Sequence, residues 1–198
     1  IKYNLKGKKV FILGSGGVVP SIIISLKKME VSKIILSNRT KKKAENFKNF
    51  FTDLEVVDWG EIPEFDMIIN ATSLGLNIND EIKLDYEKIG SNKLFYDIIY
   101  NPQQTKFLAK AKKFGNEIEN GTMMFLYQAH HAFTIWHKIM PKIDDETIQL
   151  LTQKRKGSAE ASPELARTKG KRFGIIIMNI WRTGQIKMTF NYQPSLNI

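Results

Sequence analysis

A short apolar run that ends in glycines and turns into a helix constrains this 198-residue chain more than any other feature. Val10-Phe11-Ile12-Leu13 reads as a strand buried on both faces, and Gly14-Ser15-Gly16-Gly17 follows it directly. From about Gly17 to Lys28, Val18, Ile22, Ile23 and Leu26 recur at helical spacing. Pro20 falls in the first turn of that helix, where backbone N–H groups have no intrahelical partner to lose. Such a turn lets the backbone approach a pyrophosphate closely, and the helix N-terminus supplies free N–H donors and partial positive charge. The candidate cradle is Gly14, Ser15, Gly16, Gly17 and Val18. The strict glycine pattern has Gly or Ala where this chain has Val19, so the turn taken alone also reads as a plain loop. A second feature argues for a ligand. Lys33 to Ser37 forms a second apolar run, and where an NAD site places Asp or Glu for the ribose 2′-hydroxyl, this chain has Asn38, Arg39 and Thr40. A guanidinium there favours a 2′-phosphate and no carboxylate repels it, so the expected cofactor is NADP.

The rest of the pattern alternates strand and helix. Lys41 to Phe51 reads as a helix, Glu55 to Val57 as a third strand, Asp66 to Asn70 as a fourth and Leu94 to Tyr100 as a fifth. Thr105 to Phe114 makes a helix stopped by Gly115, Glu117 to Glu119 an edge strand, and Met123 to His137 a helix. In that last helix Phe125, Leu126, Ala129, Phe133 and Trp136 mark the packed stripe. Nearly continuous apolar strands alternating with helices predict an α/β fold, a Rossmann-like doubly wound parallel sheet with helices on both faces. Ligands of such sheets sit at the carboxyl ends of the strands, where Gly14 to Gly17, Asn38 to Thr40, Asn70 to Ser73 and Tyr100 fall.

Composition narrows the class. The formal charge of +10 is unevenly spread: residues 1–150 hold 21 basic and 18 acidic side chains, net +3, and residues 151–198 hold 9 and 2, net +7. The folded part therefore carries ordinary charge, and no aromatic-rich basic motif points to nucleic acid. The absence of cysteine excludes disulfides and thiolate metal sites, and His130, His131 and His137 lack a carboxylate cluster to complete a metal site. Neither a signal segment nor a membrane span is expected, which predicts a cytoplasmic protein. Domain expectations are a cofactor domain over 1–152 and a basic tail over 153–198. Lys154-Arg155-Lys156-Gly157-Ser158 reads as linker, and Phe173 to Ile198 as apolar but too short to fold alone.

Five motifs together go further: the glycine turn, Asn38-Arg39-Thr40, Asn70-Ala71-Thr72-Ser73-Leu74-Gly75, Tyr96 to Pro102, and Asn120-Gly121 followed by Gln128-Ala129. In this order and spacing, from about Lys6 to Leu151, the chain resembles the C-terminal half of the shikimate dehydrogenases. The resemblance implies reduction of 3-dehydroshikimate to shikimate with NADPH, in the route to aromatic amino acids. It places the 2′-phosphate at Asn38, Arg39, Thr40 and Lys41 to Lys43, with Lys43 the cofactor-binding lysine. Thr72, Ser73, Ile98 and Gly121 match positions toward the nicotinamide end, and Tyr100 and Gln128 match substrate-touching residues. The family's catalytic lysine and aspartate belong to an N-terminal substrate domain that is expected to be absent here. No residue of this chain is therefore assigned as catalytic, and these residues alone are expected to bind NADP and to be nearly inert. Asp97, inside an apolar strand, reads as a cap or hydrogen-bond partner of a neighbouring loop. Two alternatives stay open, the NADP domain of a related two-domain reductase such as glutamyl-tRNA reductase and a non-catalytic NADP-binding module. The face that meets the substrate domain is expected to be apolar, which leaves self-association as a homodimer open.

Overall fold

The structure is a computed structural model, and it describes residues 3–77, 79–145 and 148. Six parallel strands, β1 (Lys9–Leu13), β2 (Lys33–Ser37), β3 (Glu55–Val57), β4 (Met67–Asn70), β5 (Leu94–Asp97) and β6 (Glu117–Glu119), lie in the order β3-β2-β1-β4-β5-β6. The order reverses on either side of β1, which makes the sheet doubly wound, as the strand–helix alternation predicts. Helices α1 (Val19–Lys28), α2 (Lys41–Glu45), α3 (Tyr86–Ile89), α4 (Lys106–Lys113) and α5 (Thr122–His137) complete the elements. The chain divides into two compact units, Ile1–Tyr127 and Gln128–Ile198. The expected boundary at 152/153 and the tail beyond it lie outside the described residues.

Strand periodicity builds two cores in the first unit. Val10 and Ile12 point to one face of β1, where they join Ile34, Leu36, Met67 and Ile69 beneath Val19, Ile23 and Leu26 of α1. Phe11 and Leu13 point to the other, with Ile35, Ile68 and Phe95 beneath Phe107, Leu108 and Ala111 of α4. Both faces are thus dry, which is why the strands lack alternating polar residues. Fully burying one such side chain contributes about 1.5–3 kcal/mol, enough for the central strands to anchor the three-residue edge strands β3 and β6.

The structure departs from the sequence expectation at four places. The helix expected over Lys41 to Phe51 is α-helical only to Glu45 and continues as a 3₁₀ turn over Asn46–Asn49, with Phe50 N–H closing onto the Phe47 carbonyl at 3.0 Å. Two asparagines, weak helix formers, occupy that turn. Strand β5 stops at Asp97 instead of Tyr100, because the Asp97 carboxylate accepts the Ile99 N–H at 3.0 Å and turns the chain away from the ladder. Helix α3 is additional: Asp85 caps it by accepting Lys88 N–H at 3.0 Å, and Gly90 ends it with a φ of 79°. On α5 the packed stripe is shorter than expected. Leu126 is fully buried, whereas Trp136 is half exposed and Phe133 lies tilted against His137 one turn along the helix, with ring centroids 4.4 Å apart.

Candidate cofactor site

Register creates the site. Leu13 lies level with Ser37 on one side and Asn70 on the other, and Asn70 lies level with Asp97. Four strands therefore end together, and the next residues, Gly14, Asn38, Ala71 and Ile98, emerge side by side. The ladder extends one step further through Gly14 N–H to the Ser37 carbonyl (2.8 Å), Ala71 N–H to Leu13 (2.8 Å) and Ile98 N–H to Asn70 (3.1 Å).

The glycines of the turn divide into two kinds. Gly14 is buried with a φ of 106°, and a Cβ there would lie 2.6 Å from the Ala71 carbonyl oxygen, so the fold itself demands glycine. Gly16 and Gly17 are exposed and have ordinary φ. A Cβ at Gly16 would reach no closer than 4.0 Å, and one at Gly17 would meet nothing. Nothing in the chain's own packing requires glycine at these two positions, and the open space beside them fits the close backbone approach of a pyrophosphate. Among the described residues, no hydrogen bond takes up the N–H groups of Gly16, Gly17 or Val18. Helix α1 has no side-chain cap and no acidic residue in its first turn, so its positive end is left free for an anion. Ser15 and Val18 are partly buried in the same turn, and Val18 packs against the α1 core.

The second strand end supplies the cations. Asn38 donates from its amide to the Thr40 carbonyl at 2.9 Å and so fixes the turn that carries Arg39. Arg39 is exposed and has no ion-pair partner among the described residues. Lys41, by contrast, is engaged by Asp58 at 2.9 Å, and that hydrogen bond raises its pKa. Thr40 and Lys43 are exposed beside Arg39. Of the lysine run, Lys41 is thus engaged, whereas Lys42 and Lys43 are exposed without an ion pair among the described residues.

The third and fourth strand ends are tied by a buried polar network. Asn70 donates to the Asp97 carboxylate and to the Leu74 carbonyl, each at 3.0 Å, and its oxygen accepts from the Thr72 N–H at 3.0 Å and the Thr72 hydroxyl at 2.7 Å. The Thr72 hydroxyl in turn accepts the Leu74 N–H at 3.0 Å, so it is committed to its own turn, whereas Ser73 is exposed. Asp97 is fully buried; desolvation raises its pKa, opposed by the Thr105 hydroxyl at 2.7 Å, the Ile99 N–H and the Asn70 amide. Sequence reading identified Asp97 as a hydrogen-bond partner of a loop, which the geometry shows, but it missed the network.

Ile98 and Gly121 lie against each other. Gly121 N–H donates to the Ile99 carbonyl at 3.1 Å, and a Cβ on Gly121 would lie 1.9 Å from the Ile98 carbonyl oxygen. Tyr100 stacks on Phe125 with ring centroids 4.3 Å apart, and burial raises its phenol pKa. Gln128 is exposed on α5 and opens the second unit. In that unit, His130 Nε2 lies 2.8 Å from the Pro141 carbonyl oxygen. Among the described residues, no group of three or more His, Asp or Glu is placed to hold a metal ion, and no helix is long and apolar enough to cross a membrane.

The family profile and the curated relatives agree on one family. The profile of the shikimate / quinate 5-dehydrogenases matches residues 1–118. The NADP(+) shikimate dehydrogenase of Pelagibacter ubique is 59% identical over 148 residues, covering 75% of this chain and 56% of that protein. The crystal structure of the Aquifex aeolicus shikimate dehydrogenase superposes with a TM-score of 0.67 at 34% identity, over 76% of this chain and 55% of that one. A shikimate dehydrogenase solved in complex with NADP+ gives 0.65 at 32% identity, over 74% and 54%. The chain thus spans about half the length of the relatives it matches.

Proposed function

The chain belongs to the shikimate / quinate 5-dehydrogenase family, and from that premise we propose that it carries the NADP-binding half of an NADP-dependent shikimate dehydrogenase. The observation that carries the cofactor reading is Arg39, an exposed cation without a counter-charge among the described residues, at the strand end beside an uncapped helix preceded by Gly16 and Gly17, which the fold does not require. When bound, NADPH supplies the hydride that reduces the substrate carbonyl. The chain's own residues bind and orient. Gly14 and Ser15 turn the chain beneath the pyrophosphate, which Gly16, Gly17 and Val18 receive on backbone N–H groups that are free among the described residues; Asn38 presents Arg39, which with Thr40 and Lys43 receives the 2′-phosphate. Thr72, Ser73, Ile98 and Gly121 border the nicotinamide end, where Gly121 lets the backbone cross close over Ile98. Tyr100, held by Phe125, and Gln128 carry the substrate contacts that the family likeness assigns.

Proton delivery to the substrate oxygen is worth about a hundredfold to ten-thousandfold, and the likeness assigns it to a lysine and aspartate in the half of the family that this chain does not match. These 198 residues should therefore bind NADPH without detectable turnover. A chimera in which the unmatched N-terminal part of the Pelagibacter ubique protein is joined in frame before residue 1 should oxidise shikimate with NADP+, followed by NADPH absorbance. A chimera that binds NADPH but leaves shikimate untouched, or rapid turnover by these 198 residues alone, would overturn the reading.

A further inference from the structure

Asp97 is the one described buried carboxyl, and nothing in the cofactor reading above uses it. Its oxygens accept from three donors on three segments: the Asn70 amide at the end of β4, the Ile99 N–H just past β5, and the Thr105 hydroxyl that caps α4. All three are hydrogens offered to an acceptor, the arrangement that suits a carboxylate and leaves a protonated oxygen facing a donor. Asn70 spends its remaining capacity on the Thr72–Leu74 turn, which it grips through the Thr72 N–H, the Thr72 hydroxyl and the Leu74 carbonyl. One end of the chain of bonds therefore sets the turn that carries Thr72 and Ser73, and the other sets the strand exit that carries Ile98 and Tyr100. Gly75 ends the turn against Thr105, which a Cβ there would meet at 3.1 Å, so the same threonine backs both ends.

We propose that Asn70, Asp97 and Thr105 form a positioning network that holds the Thr72–Leu74 turn and the Ile98–Tyr100 exit in the one relative geometry that receives the nicotinamide half of the dinucleotide. The inference rests on the cofactor reading given above, and it assigns these three residues a role in binding without placing them against the ligand. Arg39 and the 2′-phosphate lie at a different strand end, so the network bears on one half of the cofactor and not the other.

Two probes separate the halves: NADPH, and adenosine 2′,5′-bisphosphate, which has the 2′-phosphate but no nicotinamide. Both are titrated by calorimetry into the full chain and into Asp97→Asn, Thr105→Val and Thr105→Ser. Asp97→Asn and Thr105→Val each remove an acceptor or donor from a buried network, and should weaken NADPH about tenfold or more while leaving the bisphosphate within about twofold. Thr105→Ser keeps the hydroxyl and should bind NADPH as the unaltered chain does, a rescue that loss of general stability would not produce. If Asp97→Asn does not fold, the Thr105 pair carries the test. NADPH affinity unchanged in the folded variants, or both probes weakened in parallel, overturns the inference while the cofactor reading stands. An unaltered chain that binds neither probe overturns the cofactor reading and the inference with it.

Discussion

Glycines that look alike in the sequence do different work. Gly14 is required twice by the fold, through its φ of 106° and the 2.6 Å approach to Ala71, while Gly17 meets no atom and has ordinary φ. Gly14→Ala should therefore lower the melting temperature, at a cost on the order of 1–3 kcal/mol for strain and overlap. Gly17→Ala should leave stability unchanged or raise it by about 0.4–1 kcal/mol through the unfolded chain. The same methyl stands where the pyrophosphate approaches, so Gly17→Ala should weaken NADPH at full stability. Thermal melting and calorimetric titration of the two variants check the pair, and equal NADPH affinity in Gly17→Ala and the unaltered chain would remove the backbone cradle from the site.

At the scale of elements, the decisive joints lie where strands end. The turn from β6 into α5 crosses the exit of β5 so closely that Gly121→Ala would place a Cβ 1.9 Å from the Ile98 oxygen, against backbone that has no rotamer to change. The expected outcome is a destabilisation on the order of 1–3 kcal/mol together with weaker NADPH binding, read by melting and titration on the same sample. A variant with unaltered melting and affinity would show that α5 and the β5 exit are free to separate. Much of this element scale was legible beforehand, because an apolar run such as Val10 to Leu13 followed by glycines admits few local structures, and β2, β3 and β6 fall where periodicity put them. What escaped was set by side chains reaching across sequence. The strand through Ile98 to Tyr100 looks continuous in composition, yet Asp97 turns it aside by binding Ile99 N–H, and its partners Asn70 and Thr105 lie 27 and 8 residues away, beyond any local pattern. Helix α3 was missed although Asp85 and Gly90 bracket it, because a four-residue helix holds too little periodicity to stand out. The common edge was legible too, since strands in register must deliver Gly14, Asn38, Ala71 and Ile98 side by side.

For the whole molecule, the described residues bring four strand ends to one edge, and under the proposed function that edge binds the cofactor while the reaction draws on a half of the family that this chain does not match. Residues 1–150 carry a net charge of only +3, so under the proposed function attraction for the cofactor is local, concentrated at the free end of α1 and at Arg39. That makes Arg39 the sharpest probe of what the edge is for. The intact chain is titrated calorimetrically with NADPH and with NADH, and the titrations are repeated on Arg39→Asp. A charge-assisted contact to the 2′-phosphate predicts NADPH binding about tenfold or more tighter than NADH, with the preference lost or reversed in Arg39→Asp. Equal affinity of the intact chain for NADPH and NADH would contradict an NADP site here.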